Sequence, residues 1–233
     1  MVLGANRAWA VTERRIRLAS HVRWAEIDGV VYVLDLRRGA YSALDPAWSP
    51  AWFAAVGGDP DRGDAAEDGP ERAALIGTVG RRGWISEPRD SGAPSRPDAV
   101  LRVLARARPS LAAWYALVRA GLQLRRGFWP AYSALARGAA PQRGGTVGIA
   151  DATSAFLRAE QAFVSRLGVE DCLPRSFALF RFLRDGCGLR AEHVIGIRRY
   201  PFSAHAWVQY DGVPVLDKPD RIASFTPIAR IAS

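Results

Sequence analysis

A chain of 233 residues with 49% hydrophobic and 24% charged side chains can hold two small domains or one medium one, and is too apolar for disorder. Its net charge of +9 is uneven: residues 1–90 carry 12 basic and 13 acidic side chains, and residues 91–233 carry 20 and 10. Only Lys218 among the 32 basic residues is lysine, and no zinc finger, Gly-rich RNA motif or compact basic run accompanies the excess, which argues against a nucleic-acid partner.

The first twenty residues contain Glu13, Arg14, Arg15 and Arg17 and no apolar run of the signal-peptide kind. A small antiparallel sheet is expected over residues 16–44. Ile16–Leu18 and His21–Trp24 are short candidates, and Val30–Leu36, the turn Arg37-Arg38-Gly39 and Ala40–Leu44 form the clearest hairpin. Asp45 then N-caps a helix with Pro46 at its first position, running to Val56. After the acidic loop 57–69, Pro70 opens a second helix through Ala73, Leu75, Ile76 and Val79, and Trp84-Ile85 follows as a short strand or cap. This order is winged-helix-like, but a near-neutral half without a basic helix suits peptide capture better than DNA, with Ala40–Leu44 and the 71–79 helix as walls.

Residues 86–98, with three prolines, read as a linker. Helices are expected near 98–108, 110–124, 128–137 and 151–167, separated by a break at 138–148. The longest apolar stretch, Leu111–Leu124, is interrupted by Arg119 and is too short to span a bilayer. A helix then begins at Cys172, with Asp171 as N-cap, Pro174 in its first turn and Leu173, Phe177, Phe180 and Leu183 along one stripe, and stops at Gly186. An all-strand tail follows. In it Glu192–Tyr200, Ser203–Tyr210 and Val213–Asp217 are strands, and Asp211-Gly212 is the tight turn of the last hairpin.

A thiol at a helix start meets the positive end of the dipole, which favours the thiolate, although a buried structural cysteine fits the segment equally well. The hairpin separates the two readings. Its register brings His205 to within one position of Asp217 on the opposite arm, so the pair can share a face. Cys172, His205 and Asp217 then compose a triad: nucleophile, proton carrier and the group that orients the imidazole. The backbone N–H of Cys172 is one candidate oxyanion donor. Cys187 follows Gly186 without the dipole and reads as a small core residue, while His21 and His193 lack comparable partners. Two cysteines without paired spacing give neither a disulfide framework nor a zinc site, and fit the reducing cytoplasm.

Cys172-Leu-Pro-Arg-Ser, Pro201-Phe-Ser-Ala-His205-Ala-Trp and Asp211-Gly ahead of Asp217 resemble the transglutaminase-like B proteins of lasso-peptide biosynthesis. Val30–Leu44 with Asp45-Pro46 resembles the RiPP recognition element, a winged-helix domain. The resemblance implies an α+β chain in three parts. These are a winged-helix-like leader-recognition domain at 1–88, a linker at 89–98 and a papain/transglutaminase-like cysteine peptidase domain at 99–233. It implies catalytic roles for Cys172, His205 and Asp217, and leader contacts at Tyr41, Ala43, Leu44, Leu75, Ile76 and Val79. The implied partners are a lasso precursor peptide and an ATP-dependent, asparagine-synthetase-like cyclase, with no cofactor or metal in this chain and any ATP requirement entering through the cyclase. A transglutaminase-like acyltransferase and a non-catalytic precursor-binding scaffold are the alternatives.

Overall fold

The computed structural model describes residues 16–56, 70–85, 98–136, 138, 147–167 and 171–232; the expected loop 57–69 and nearly all of the expected linker lie outside them. Two antiparallel sheets and eight α-helices are present among these residues. The first sheet is β1 (Val22–Ile27), β2 (Val30–Asp35) and β3 (Ala40–Ala43), in that order. Asp28 and Gly29 both take positive φ between β1 and β2, the conformation of the tightest hairpin turns. Ile16–Leu18 is no strand of this sheet: Leu18 makes a single bridge to Ile85, the contact that closes Trp84-Ile85 onto the chain start. After a short 3-10 turn capped by the Asp45 side chain come α1 (Ser49–Val56) and α2 (Pro70–Arg81).

Strand β2 is buried on both faces, and its period of two divides it between two cores. Val31 and Val33 join Leu44, Trp52, Leu75, Val79 and Trp84 beneath α1 and α2. Val30, Tyr32 and Leu34 instead join the main core of the C-terminal part. The N-terminal sheet and the remainder of the chain therefore share apolar packing, with Ala25 and Ile27 of β1 and Tyr41 of β3 adding to it. Buried Asp35 ties the β2–β3 turn together, accepting the backbone N–H of Arg37 and Arg38 at 3.0 Å and the Trp84 indole N–H at 3.3 Å.

The helices α3 (Ala99–Ala107), α4 (Pro109–Arg125), α5 (Phe128–Ala136) and α6 (Ile149–Leu167) follow. Asp98, the last residue of the expected linker, is the buried N-cap of α3: its carboxylate accepts the Leu101 N–H and pairs with Arg119 at 2.7 Å. α4 packs against α3, α5, α6 and α7 (Cys172–Arg181). α7 continues into a five-residue π-helical stretch, Phe182–Gly186, before the second sheet.

That sheet has the order β6 (Val213–Val215), β5 (Ser203–Tyr210), β4 (Ala191–Arg198), β7 (Thr226–Ala232), all antiparallel. The tail is not all strand, since α8 (Pro219–Ile222) lies between β6 and β7. α7 packs on β5 and β4, which carries the helix start to the residues of the β5–β6 hairpin. Among the described residues no helix is long and apolar enough to cross a membrane.

Candidate active site

Cys172 is the first residue of α7. Phe177, Phe180 and Leu183 on the apolar stripe are fully buried and anchor the helix in the main core. Asp171 occupies the N-cap position with extended backbone, but its side chain makes no capping hydrogen bond, contrary to expectation. Its charge instead opposes ionisation of Cys172.

The β5–β6 ladder pairs Val208 with Val215 and Tyr210 with Val213, which is the expected register. The ladder ends at Val215. Leu216 takes a φ of 60° and turns the chain out of the strand, so Asp217 meets His205 as a residue beyond the ladder rather than as a cross-strand partner. His205 Nε2 and Asp217 Oδ1 are 3.1 Å apart. The two side chains are 7% and 10% exposed.

His205 also hydrogen-bonds Cys172. With Nε2 held by Asp217, Nδ1 is the ring nitrogen left for the thiol. The Cys172 pKa is lowered chiefly by the hydrogen bond from His205, against the opposing effect of burial, and further by the Ala206 N–H donated to the sulfur. The bonds to Asp217 and Cys172 push the His205 pKa up to about 9. Such mutual shifts favour a thiolate–imidazolium pair over the neutral pair. The sheet beneath holds the histidine: Trp207 stacks on His205 with ring centroids 6.1 Å apart, and Phe225 packs at 5.5 Å.

The other candidates separate cleanly. Cys187 is buried and its pKa is pushed up to about 12, and both cysteines are free thiols. His193 has a partner that spacing did not reveal, Ser176 Oγ at 3.0 Å. It lies fully buried among Tyr132, Phe177 and Phe180, and burial lowers its pKa to about 3, so it is a neutral core residue. His21 is buried between Trp129 and Asp35. Among the described residues no three His, Cys, Asp or Glu side chains cluster as metal ligands.

Of the expected leader contacts, Leu44, Leu75 and Val79 are spent in the N-terminal core, whereas Ala43 and Ile76 face outward. A side-chain bond from Arg82 to Ser42, at 2.8 Å, spans the gap between the end of α2 and β3. Tyr41 on β3 points to the other half of the molecule. It packs against the main core and meets Phe202 of the β4–β5 turn edge to face. Burial pushes the Tyr41 pKa up to about 12, with a further contribution from the Cys172 charge. β3 is one of the two outer strands of its sheet.

Residues 110–230 match the transglutaminase-like superfamily model, just over half of the chain, and the chain belongs to that superfamily. It is also similar to the microcin J25-processing protein McjB of Escherichia coli, with 39% identity over 61 residues. That match covers 26% of this chain and spans only 29% of the length of McjB. No solved structure matches the chain.

Proposed function

We propose that this protein is the leader peptidase of a lasso-peptide pathway. It binds a precursor through the leader and severs leader from core by Cys172–His205–Asp217 thiol catalysis. The observation that carries the reading is the hydrogen-bonded chain from the Cys172 sulfur through the His205 ring to Asp217. Superfamily membership and the similarity to a microcin-processing protein favour peptide-processing chemistry.

In this reading the thiolate attacks the carbonyl carbon at the leader–core junction. The carbonyl π electrons move to oxygen, where the Cys172 backbone N–H at the helix start is a candidate donor. Collapse of the intermediate breaks the C–N bond, and His205 gives its proton to the departing amine of the core. Water, deprotonated by His205, then opens the thioester and releases the leader carboxylate. No cofactor takes part in these steps, and ATP enters only through a partner cyclase that closes the macrolactam on the freed amine. The two free cysteines suit a cytoplasmic setting.

The N-terminal sheet supplies a place for the leader. β3 offers an outer edge to which an extended peptide can add, with Ala43 and Ile76 outward and Tyr41 near enough to the thiol for the Cys172 charge to bear on it. This part is the recognition domain of the reading, and the C-terminal part is the peptidase. Cys172→Ala should abolish precursor cleavage and leave precursor binding unchanged; cleavage by that variant removes the proposal. Transfer of the acyl group to an added amine, seen as the amine's mass on the leader fragment, would instead mark a transglutaminase-like acyltransferase.

A further inference from the structure

Asp217 lies beyond the end of β6, so strand pairing does not hold it in place. Its Oδ1 faces His205 Nε2 at 3.1 Å, and its Oδ2 faces Arg175 Nη1 at 4.0 Å. Arg175 stands three residues after Cys172, on the same helix as the thiol. Its Nε and Nη2 are both donated to Glu160 of α6, at 2.5 and 3.1 Å, a two-point clamp that fixes the guanidinium plane. The four side chains Glu160, Arg175, Asp217 and His205 thus form one line of alternating polarity leading to the sulfur.

We propose that Arg175, held by Glu160, is a positioning residue that fixes the Asp217 carboxylate relative to Cys172. This rests on the triad reading above. The division of labour follows from geometry. A free guanidinium beside a carboxylate closes on both oxygens through its fork, and here that would compete with His205 for Oδ1. Glu160 occupies the fork instead. The Nη1 amino group is left toward Oδ2, at a distance that orients the carboxylate through charge without drawing it off the imidazole. Because Arg175 and Cys172 share α7, the same helix that places the nucleophile also places the acid end of the triad.

The test uses the full-length protein and iodoacetamide as probe, so it needs no precursor. Alkylation of Cys172 at neutral pH should fall about tenfold in Arg175→Gln, since a mispositioned Asp217 no longer supports the imidazolium that stabilises the thiolate. Arg175→Lys, which keeps the charge but not the fork, should recover part of that loss. In an Asp217→Asn background Arg175→Gln should change the rate by less than about twofold, because the two substitutions break the same link. Glu160→Gln, the mildest change, should lower the rate while the melting temperature stays near that of the parent. Fully additive effects of Arg175→Gln and Asp217→Asn, or an unchanged rate in both Arg175→Gln and Glu160→Gln, would overturn the inference. If His205→Ala and Asp217→Asn also leave alkylation unchanged, the triad reading itself fails, and the two failures are thereby distinguished.

Discussion

Tyr41 of the first sheet meets Phe202 of the second edge to face, with ring centroids 5.7 Å apart. Tyr32 stacks on the same phenylalanine at 6.2 Å, and Arg199 pairs with Asp28 at 3.2 Å beside it. One exposed aromatic of the β4–β5 turn thus joins the strand proposed to receive the leader to the strand that carries His205. Phe202→Ala should weaken this junction. Precursor cleavage should lose several-fold in kcat/KM, mainly through KM, while iodoacetamide alkylation of Cys172 keeps its parent rate. A fall in alkylation equal to the fall in cleavage would show that Phe202 acts on the triad instead.

The titration of the pair sets a pH window. Cys172 is lowered and His205 is raised to about 9, so the thiolate–imidazolium form spans the interval between them. Alkylation should therefore approach its plateau below the free-thiol range near pH ~8.5. Cleavage should decline as pH rises through about 9, because His205 then lacks the proton that the leaving amine needs. Asp217→Asn removes the leading cause of the raised histidine pKa and should move that alkaline limb downward. Stopped-time assays from acid to alkaline pH on parent and variant read both limbs.

Gly196 lies directly under the Trp207 ring. A Cβ at that position would stand 2.7 Å from Cη2 and Cζ3 of the indole and 3.1 Å from Phe225 Cβ. Since Trp207 stacks on His205, Gly196→Ala must either displace the indole or distort β4, at a cost of about 1–3 kcal/mol. A drop in melting temperature accompanied by slower alkylation of Cys172 is expected. Parent-like values for both would mean that the ring has room to yield.

Much of this was readable in the sequence because it rests on short-range rules. The turn at Asp211-Gly212, with both residues at positive φ, fixes the hairpin register from two residues. Proline and aspartate mark the starts of helices, and the continuous apolar run of β2 suits a strand buried on both faces. The missed features depend on contacts distant in sequence. Val30, Tyr32 and Leu34 look like one face of an isolated sheet until they join the main core of the C-terminal part. Leu44, Leu75 and Val79 have the composition of either groove walls or core, and only packing assigns them to core. The Ser176–His193 bond and the Glu160–Arg175–Asp217 line join residues on different elements without any motif. Asp171 illustrates the converse: a residue of the right type at the right place whose side chain makes no capping bond.

Hydrolysis through a Cys172 thioester leaves one solvent oxygen on the leader, which incubation of parent protein and cognate precursor in H2(18)O reads out. Mass spectrometry should find one heavy oxygen at the new C-terminus of the leader fragment and none in the core, with no products from Cys172→Ala. Labelled products from Cys172→Ala, or a leader fragment without heavy oxygen from the parent protein, would contradict it.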